Sequence, residues 1–104
     1  MYIYNVTTHV EPSIENEWLN WMEKHHLPEM MKTGQFTQAR LFRVVNDQDH
    51  GGISYAAQYS CVDKKNYTTY VNEYATALRQ KAVDRFGTSI LSFRTQLEEM
   101  MIVQ

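Results

Sequence analysis

The layout of this chain is set by one amphipathic segment, residues 17–29, whose sequence is EWLNWMEKHHLPE. At about 100° per residue, Trp18 and Trp21 fall within one apolar arc while most of the charged residues take the opposite side, which predicts a helix. Pro28 has no amide hydrogen and disfavours helical geometry in the residue before it. We therefore expect this helix to end or kink near His26.

Strand patterns flank this helix on both sides. Residues 2–10 alternate with a period of two, the even positions on one face and Asn5 and Thr7 on the other, which is typical of a strand. Asp63 is placed to cap a long second helix that Gly87 would end. The predicted strands span Tyr2–Val10, Phe36–Val45, Ile53–Cys61 and Ser89–Leu97, with a polar turn at Asn46–Gly52.

The order β-α-β-β-α-β predicts one α+β domain over residues 1–104, with both helices on one face of the sheet. Right-handed crossover connections predict that the first strand lies beside the third and the fourth and runs parallel to both. The other sheet face needs a cover, because Phe42, Val44 and Ile90 are poor choices for contact with water. A second copy packed sheet to sheet would supply that cover, so we expect a homodimer.

Composition excludes several classes of function. Ten basic residues stand against twelve acidic ones, and this balance predicts no nucleic-acid partner. No apolar stretch approaches 18 residues, and the first residues run straight into a strand pattern, so we expect no membrane partner and a cytoplasmic location. Cys61 is a lone cysteine, and Glu23 with His26 makes a single Glu-x-x-His pair; we therefore expect no metal and no cofactor.

Several segments together resemble a known superfamily. They are Tyr4-Asn5-Val6-Thr7, Trp18-Leu19-Asn20-Trp21-Met22, His26-Leu27-Pro28-Glu29, Thr33-Gly34-Gln35-Phe36, Arg85-Phe86-Gly87 and Phe93-Arg94-Thr95. The chain resembles the dimeric α/β-barrel superfamily, and within it a small bacterial family of unknown function with the Tyr-Asn-Val-Thr start and a His-x-Pro after the first helix. This resemblance implies a ferredoxin-like βαββαβ fold: a four-stranded antiparallel sheet with two helices on one face, dimerising into an α/β barrel.

The resemblance implies less about activity, because the family it points to has no assigned function. Remoter members include cofactor-independent monooxygenases of antibiotic biosynthesis and a group linked to the degradation of aromatic and ether compounds. The latter group is similar in its first helix, where a tryptophan is followed by His-x-Pro, and His26 is the matching position. Haem-degrading members are matched at Asn5, but the second helix here lacks the histidine that they require.

The two adjacent histidines differ by about 100° around the helix. His25 falls in the middle of the apolar arc, so we expect it to be the more buried of the two, and His26 to lie near the rim of a cleft. His26 could then act as a general base, since its ordinary pKa near 6.5 suits proton transfer. Alternatively, His25 fills the core and His26 is a cation favoured by the helix terminus.

A second group of candidates comes from the strands. If their side chains project into the space between two sheets, they form a polar pocket ringed by aromatic residues and suited to a small acidic or phenolic molecule. Alternatively, they form a hydrogen-bonded network that fixes the register of a dimer. Whether Arg40 or Arg43 faces this pocket stays open. The candidate ligand-binding residues are Asn5, Thr7, Trp21, Arg40, Gln58 and Arg94.

Two functions follow from these residues. In the first, a homodimeric, cofactor-independent enzyme of monooxygenase or isomerase type acts on a small aromatic or acidic metabolite, with His26 as the base. Asn5 and Gln58 would donate to an oxyanion, and an arginine would anchor a carboxylate. In the second, the same pocket belongs to a non-enzymatic binding or regulatory dimer. The ligand is a small molecule in both.

Overall fold

The body of the protein is a sheet with its helices packed on one face. The structure is a computed structural model that describes residues 1–45 and 52–104. Within these residues the sheet has four strands: β1 Tyr2–Val10, β2 Gln38–Arg43, β3 Ile53–Cys61 and β4 Ile90–Glu98. The helices are α1 Glu15–Trp21, α2 Leu27–Lys32, α3 Lys64–Glu73 and α4 Ala75–Phe86, and a π-helical turn, Met22–His26, joins α1 to α2. Short 3₁₀ turns lie at Pro12–Ile14 and Gly87–Ser89. The turn predicted between β2 and β3 falls, apart from Gly52, outside the described residues.

The strand order is β2-β3-β1-β4, and each neighbouring pair is antiparallel. The predicted neighbours of β1 and the antiparallel α+β fold class are confirmed. The predicted parallel direction is wrong, because each crossover joins strands that are not adjacent. The connection from β1 leads to β2 with β3 inserted between them, and the connection from β3 leads to β4 with β1 between them.

The alternation along β1 separates the two faces of the sheet as predicted. Tyr4 and Val10 are almost completely buried against the helices, on what we call the helix face. The opposite side, called the open face, carries Asn5 and, on β2 and β4, Phe42 and Phe93. Directly paired residues share a face, so the pairing of Tyr4 with Tyr59 and of Asn5 with Gln58 extends both faces across β3.

The prediction for the uncovered face is partly confirmed. Phe42 and Val44 are 37% and 42% exposed. Ile90 was placed wrongly on this face: it pairs with the buried Val10 and therefore lies on the helix face. Its neighbours on β4 take the open positions instead, and Phe93 is 61% exposed.

The second helix begins and ends where the sequence indicates. The Asp63 carboxylate accepts a hydrogen bond from the Lys65 amide at 2.8 Å, and Gly87, with φ of 53°, terminates α4. The single long helix that the apolar spacing predicts is interrupted at Tyr74, whose φ of −126° separates α3 from α4. Tyr74 itself is exposed.

Candidate functional site

The π-helical turn decides which histidine faces the interior. The Leu27 amide donates to the carbonyl of Met22, five residues back, instead of to that of Glu23. Such a turn holds one residue more than an α-helical turn, so the residues after it are rotated by about 100° relative to a regular helix. His26 thereby occupies the inward position that regular spacing assigns to its neighbour. The expectation that His25 is the more buried histidine is wrong: His25 is exposed.

His26 lies against a cavity of about 50 Å³ between the helix face of the sheet and the helices that cover it. Its ring stacks on the indole of Trp21, and its Nδ1 atom is buried without a hydrogen-bond partner. Burial disfavours the imidazolium and lowers the pKa of His26 from 6.5 to about 4; Glu29 opposes this effect, while Arg94 and Lys81 add to it. The imidazole is therefore neutral at pH 7 and offers a free nitrogen. The walls of the cavity include Tyr4, Trp18, Trp21, His26, Arg79 and Arg94.

Two arginines of the cavity lining meet at one phenol oxygen. Arg79 Nη2 and Arg94 Nε each donate to the hydroxyl of Tyr4 at 3.1 Å. The Tyr4 side chain is only 1% exposed, whereas Arg94 lies on the edge strand and is exposed. The Nε atom of Arg79 is buried without a partner. The two guanidinium groups therefore concentrate positive charge around the hydroxyl of Tyr4.

Neutral polar groups complete the lining. Burial raises the pKa of the phenols of Tyr59 and Tyr70, so both remain protonated. The hydroxyls of Thr8 and Ser92 bond to each other at 2.8 Å across the β1–β4 pair. A ligand in this cavity would meet hydroxyl and guanidinium donors together with aromatic rings, and both the sheet and the helices supply them.

The predicted ligand-binding residues divide between the two faces of the sheet. Trp21 and Arg94 line the cavity together with His26. Arg40, Gln58, Asn5 and Thr95 lie in one cross-strand row on the open face. Thr7 lies on the same face. The four open-face candidates cannot reach the cavity, because β1 and β3 separate them from it.

Within the open-face row, Asn5 is incompletely bonded. Its amide nitrogen lies 3.2 Å from Thr7 Oγ1 and 3.3 Å from Thr95 Oγ1, while its Oδ1 atom is buried without a partner. Arg40 stays on this face with its guanidinium 4.7 Å from the ring centre of Phe42. Arg43 takes the helix face and lies near the ring of Tyr55. Of Arg40 and Arg43, only Arg40 could therefore contribute to a pocket at the open face.

Sequence reasoning missed Arg79, although the sequence carries a signal for it. Arg79 follows Ala75 by four residues and precedes Ala82 by three, which places it on the inner side of α4 by helical spacing. Glu23, which forms the Glu-x-x-His pair with His26, is exposed. Among residues 1–45 and 52–104, no three His, Cys, Asp or Glu side chains come close enough to hold a metal ion. In the same part of the chain, no helix combines the length and the apolar character needed to cross a membrane.

Comparisons with known proteins place the fold. A family model described as a domain of unknown function (DUF4286) matches residues 1–100. An ethyl tert-butyl ether d (EthD) family protein from Bacillus halodurans superposes with a TM-score of 0.67 at 14% identity, covering 96% of this chain and 100% of its own. A dimeric ferredoxin-like protein from an uncultured marine organism gives 0.65 at 15% identity, covering 98% and 97%. No curated protein matches. At these identities the likeness establishes the ferredoxin-like fold.

Proposed function

Since the chain belongs to the DUF4286 family, a domain of unknown function, we propose its activity from the site itself: isomerase-like proton transfer on a small acidic metabolite, with His26 as the base. The enzyme expected from the sequence is of monooxygenase or isomerase type. Proton transfer is the chemistry for which the cavity supplies a suitable group. We expect the reaction to need no cofactor.

One observation carries the proposal: a neutral imidazole lines the cavity with a buried nitrogen that has no partner in the protein. Buried polar atoms are nearly always hydrogen-bonded, so an unbonded one indicates a place where a ligand atom or water belongs. At pH 7 His26 is deprotonated, which is the state that a proton acceptor needs.

A bound anion would strengthen this base. Arg94 and Lys81 lower the pKa of His26 through their charges. A negative substrate beside Arg94 offsets that effect and favours the imidazolium that forms when a proton is transferred. The substrate would therefore raise the basicity of His26 towards the range that suits catalysis near neutral pH.

The alternative is a non-enzymatic module that senses a metabolite in the same cavity. The size of the cavity favours this reading, because about 50 Å³ encloses only a few atoms, on the order of three to five water-sized positions. The enclosed part of a ligand would then be its acidic end, with the remainder outside. Binding without turnover is the outcome that would select this alternative.

We also propose that the protein is a homodimer joined through its open face. Phe93 and Phe42 are exposed there beside the row that contains Asn5, and a second copy would cover them and could supply a partner for Asn5 Oδ1. The description of one structural relative as dimeric supports this assembly. Under this proposal Asn5, Thr7, Arg40 and Gln58 belong to the dimer interface. A cytoplasmic, bacterial origin remains a prediction.

Hydrogen–deuterium exchange tests the proton transfer directly. Small carboxylic and keto acids are incubated with the protein in D₂O, and exchange at the carbon beside the acidic group is followed by NMR. We expect the wild type and His25→Gln to exchange the same acids, and His26→Gln to lose this exchange at least a hundredfold, as is usual for a general base. Exchange that survives in His26→Gln would contradict the proposal.

A further inference from the structure

We propose that Arg79, Arg94 and the hydroxyl of Tyr4 form a binding site for the carboxylate of a small monocarboxylic acid. The inference deepens the proposed function by naming the class of ligand and a residue that binds it. It depends on that function only in sharing the cavity, since binding needs no proton transfer.

Arg79 and Arg94 carry positive charge that no ion pair of the described residues compensates. The ion pairs among the described residues join Lys81 to Glu29 and Arg85 to Glu17. Neither Arg79 nor Arg94 takes part in them. Both guanidinium groups instead donate to the hydroxyl of Tyr4. Two cations that converge without a carboxylate leave a place where an anion is favoured.

The same group of residues has hydrogen-bond donors that are not used within the protein. Arg79 Nε is buried and unbonded, and both bonds that reach the Tyr4 oxygen are ones in which it accepts. The hydroxyl therefore keeps its own proton for an acceptor in the cavity. A carboxylate can accept from several donors at once and matches the planar fork of arginine.

The size of the cavity and the access to it also fit a carboxylate. A carboxylate group has three non-hydrogen atoms, which fits a cavity of about 50 Å³ where roughly 10–15 Å³ holds one water. Arg94 is exposed on the edge strand, so the ligand can enter at this wall and leave its substituent outside. The rings of Trp18 and Trp21 also line the cavity, and the carbon that carries the carboxylate would contact them.

Titration of the wild-type protein provides the test. The probes are propionate and benzoate, each beside its neutral amide of the same shape. Tryptophan fluorescence reports binding, and the arginine Nε–H signals in the NMR spectrum report its location. We expect each acid to bind at least tenfold more tightly than its amide, with the Nε–H signal of Arg79 shifting on binding.

Variants then assign the preference to the arginines. We expect Arg79→Gln and Arg94→Gln each to weaken binding of the acids tenfold or more, since bonds to charged groups are worth roughly that factor. Arg85→Gln is the matched control: it removes a guanidinium from the same helix, at a residue that pairs with Glu17 outside the cavity, and binding should stay within twofold. If Arg79→Gln fails to fold, the preference of the wild type for acid over amide still tests the site.

Three results would overturn the carboxylate site: equal binding of acid and amide, unchanged binding in both glutamine variants, or tighter binding of inorganic phosphate than of either acid. The two proposals fail separately. Acids that bind through the arginines but exchange normally with His26→Gln would refute the base and leave the site standing. Exchange that depends on His26 while both arginine variants bind normally would refute the site alone.

Discussion

The ring of His26 lies 4.7 Å from the ring of Trp21, and the two planes are inclined by only 20°. The indole in turn meets Phe86 at 75°, with ring centres 5.3 Å apart. Trp21 is therefore a fixed wall between the histidine and the core. Because one face of the imidazole is covered by this wall, water cannot solvate its cation on that side, which is part of the physical reason for its low pKa.

The first prediction concerns stability and pH. The pKa of His26 is about 4 in the folded protein, against its ordinary value of 6.5. Between pH 4 and pH 6.5 the unfolded chain therefore carries a proton on His26 that the folded chain lacks. The free energy of unfolding is therefore highest, as far as His26 is concerned, above pH 6.5. It falls by up to about 3 kcal/mol as the pH is lowered to 4. Urea unfolding at pH 7.5, 6, 5 and 4.5 measures this loss.

Carboxylates also titrate in this window, so variants isolate the histidine. His26→Gln should lack this part of the loss, whereas His25→Gln, which removes the exposed neighbour, should behave as the wild type. If His25→Gln rather than His26→Gln flattened the profile, the assignment of the buried ring would be wrong.

The second prediction concerns the phenol that both arginines share. Tyr4→Phe keeps the ring and removes the acceptor, which leaves two guanidinium groups without their bond on this wall. We expect a loss of about 1–3 kcal/mol in the free energy of unfolding, measured by urea unfolding. Tyr74→Phe removes a hydroxyl at an exposed position and should change stability by less than about 0.5 kcal/mol. Equal effects of the two substitutions would contradict the role given to Tyr4.

The third prediction concerns assembly. Phe93→Asp puts a charge on the open face, where a second sheet would bury it without a partner, and should convert the proposed dimer to a monomer. Size-exclusion chromatography with light scattering measures the mass. Val83→Asp is the control, because Val83 is 58% exposed against 61% for Phe93 but lies on α4. A wild-type protein that is already monomeric would contradict the proposed dimer.

The fourth prediction concerns the end of α4. Gly87 has φ of 53° and ψ of −127°, a region that side chains with a Cβ rarely enter. A Cβ atom there would meet nothing within 4 Å, so the cost of Gly87→Ala is purely conformational, about 1–3 kcal/mol. Thermal unfolding beside the exposed neighbour Thr88→Ala measures it. A Gly87→Ala protein as stable as Thr88→Ala would show that the turn can relax.

The fold was predictable because its signals are local. The alternation of residues 2–10 gives β1 its observed bounds, and the Asp63 and Gly87 caps place both ends of the second helical region. The direction of neighbouring strands was harder to predict from the sequence. It depends on which strand is inserted between the two that a crossover joins, and this is a property of the whole sheet rather than of any one segment.

The site was only half predictable. His26, Trp21 and Arg94 do meet at one cavity, but for His26 the helical spacing gave the wrong reason, since it assumed a regular helix. Asn5 could not have been separated from Arg94 in advance. In an antiparallel pair, directly opposed residues share a face, and Arg94 pairs with Val6, the neighbour of Asn5. That register is absent from the pattern of either strand alone.

The π-helical turn also affects how this chain should be aligned with its relatives. A relative whose first helix is regular has one residue fewer in this turn, so a correct alignment needs a single-residue gap between Met22 and His26. Without that gap, the column containing His26 would pair it with a solvent-facing position in the relative. Because His25 and His26 are the same residue type, the histidine column alone would not reveal the slip, and a role transferred between sequences would move by one position.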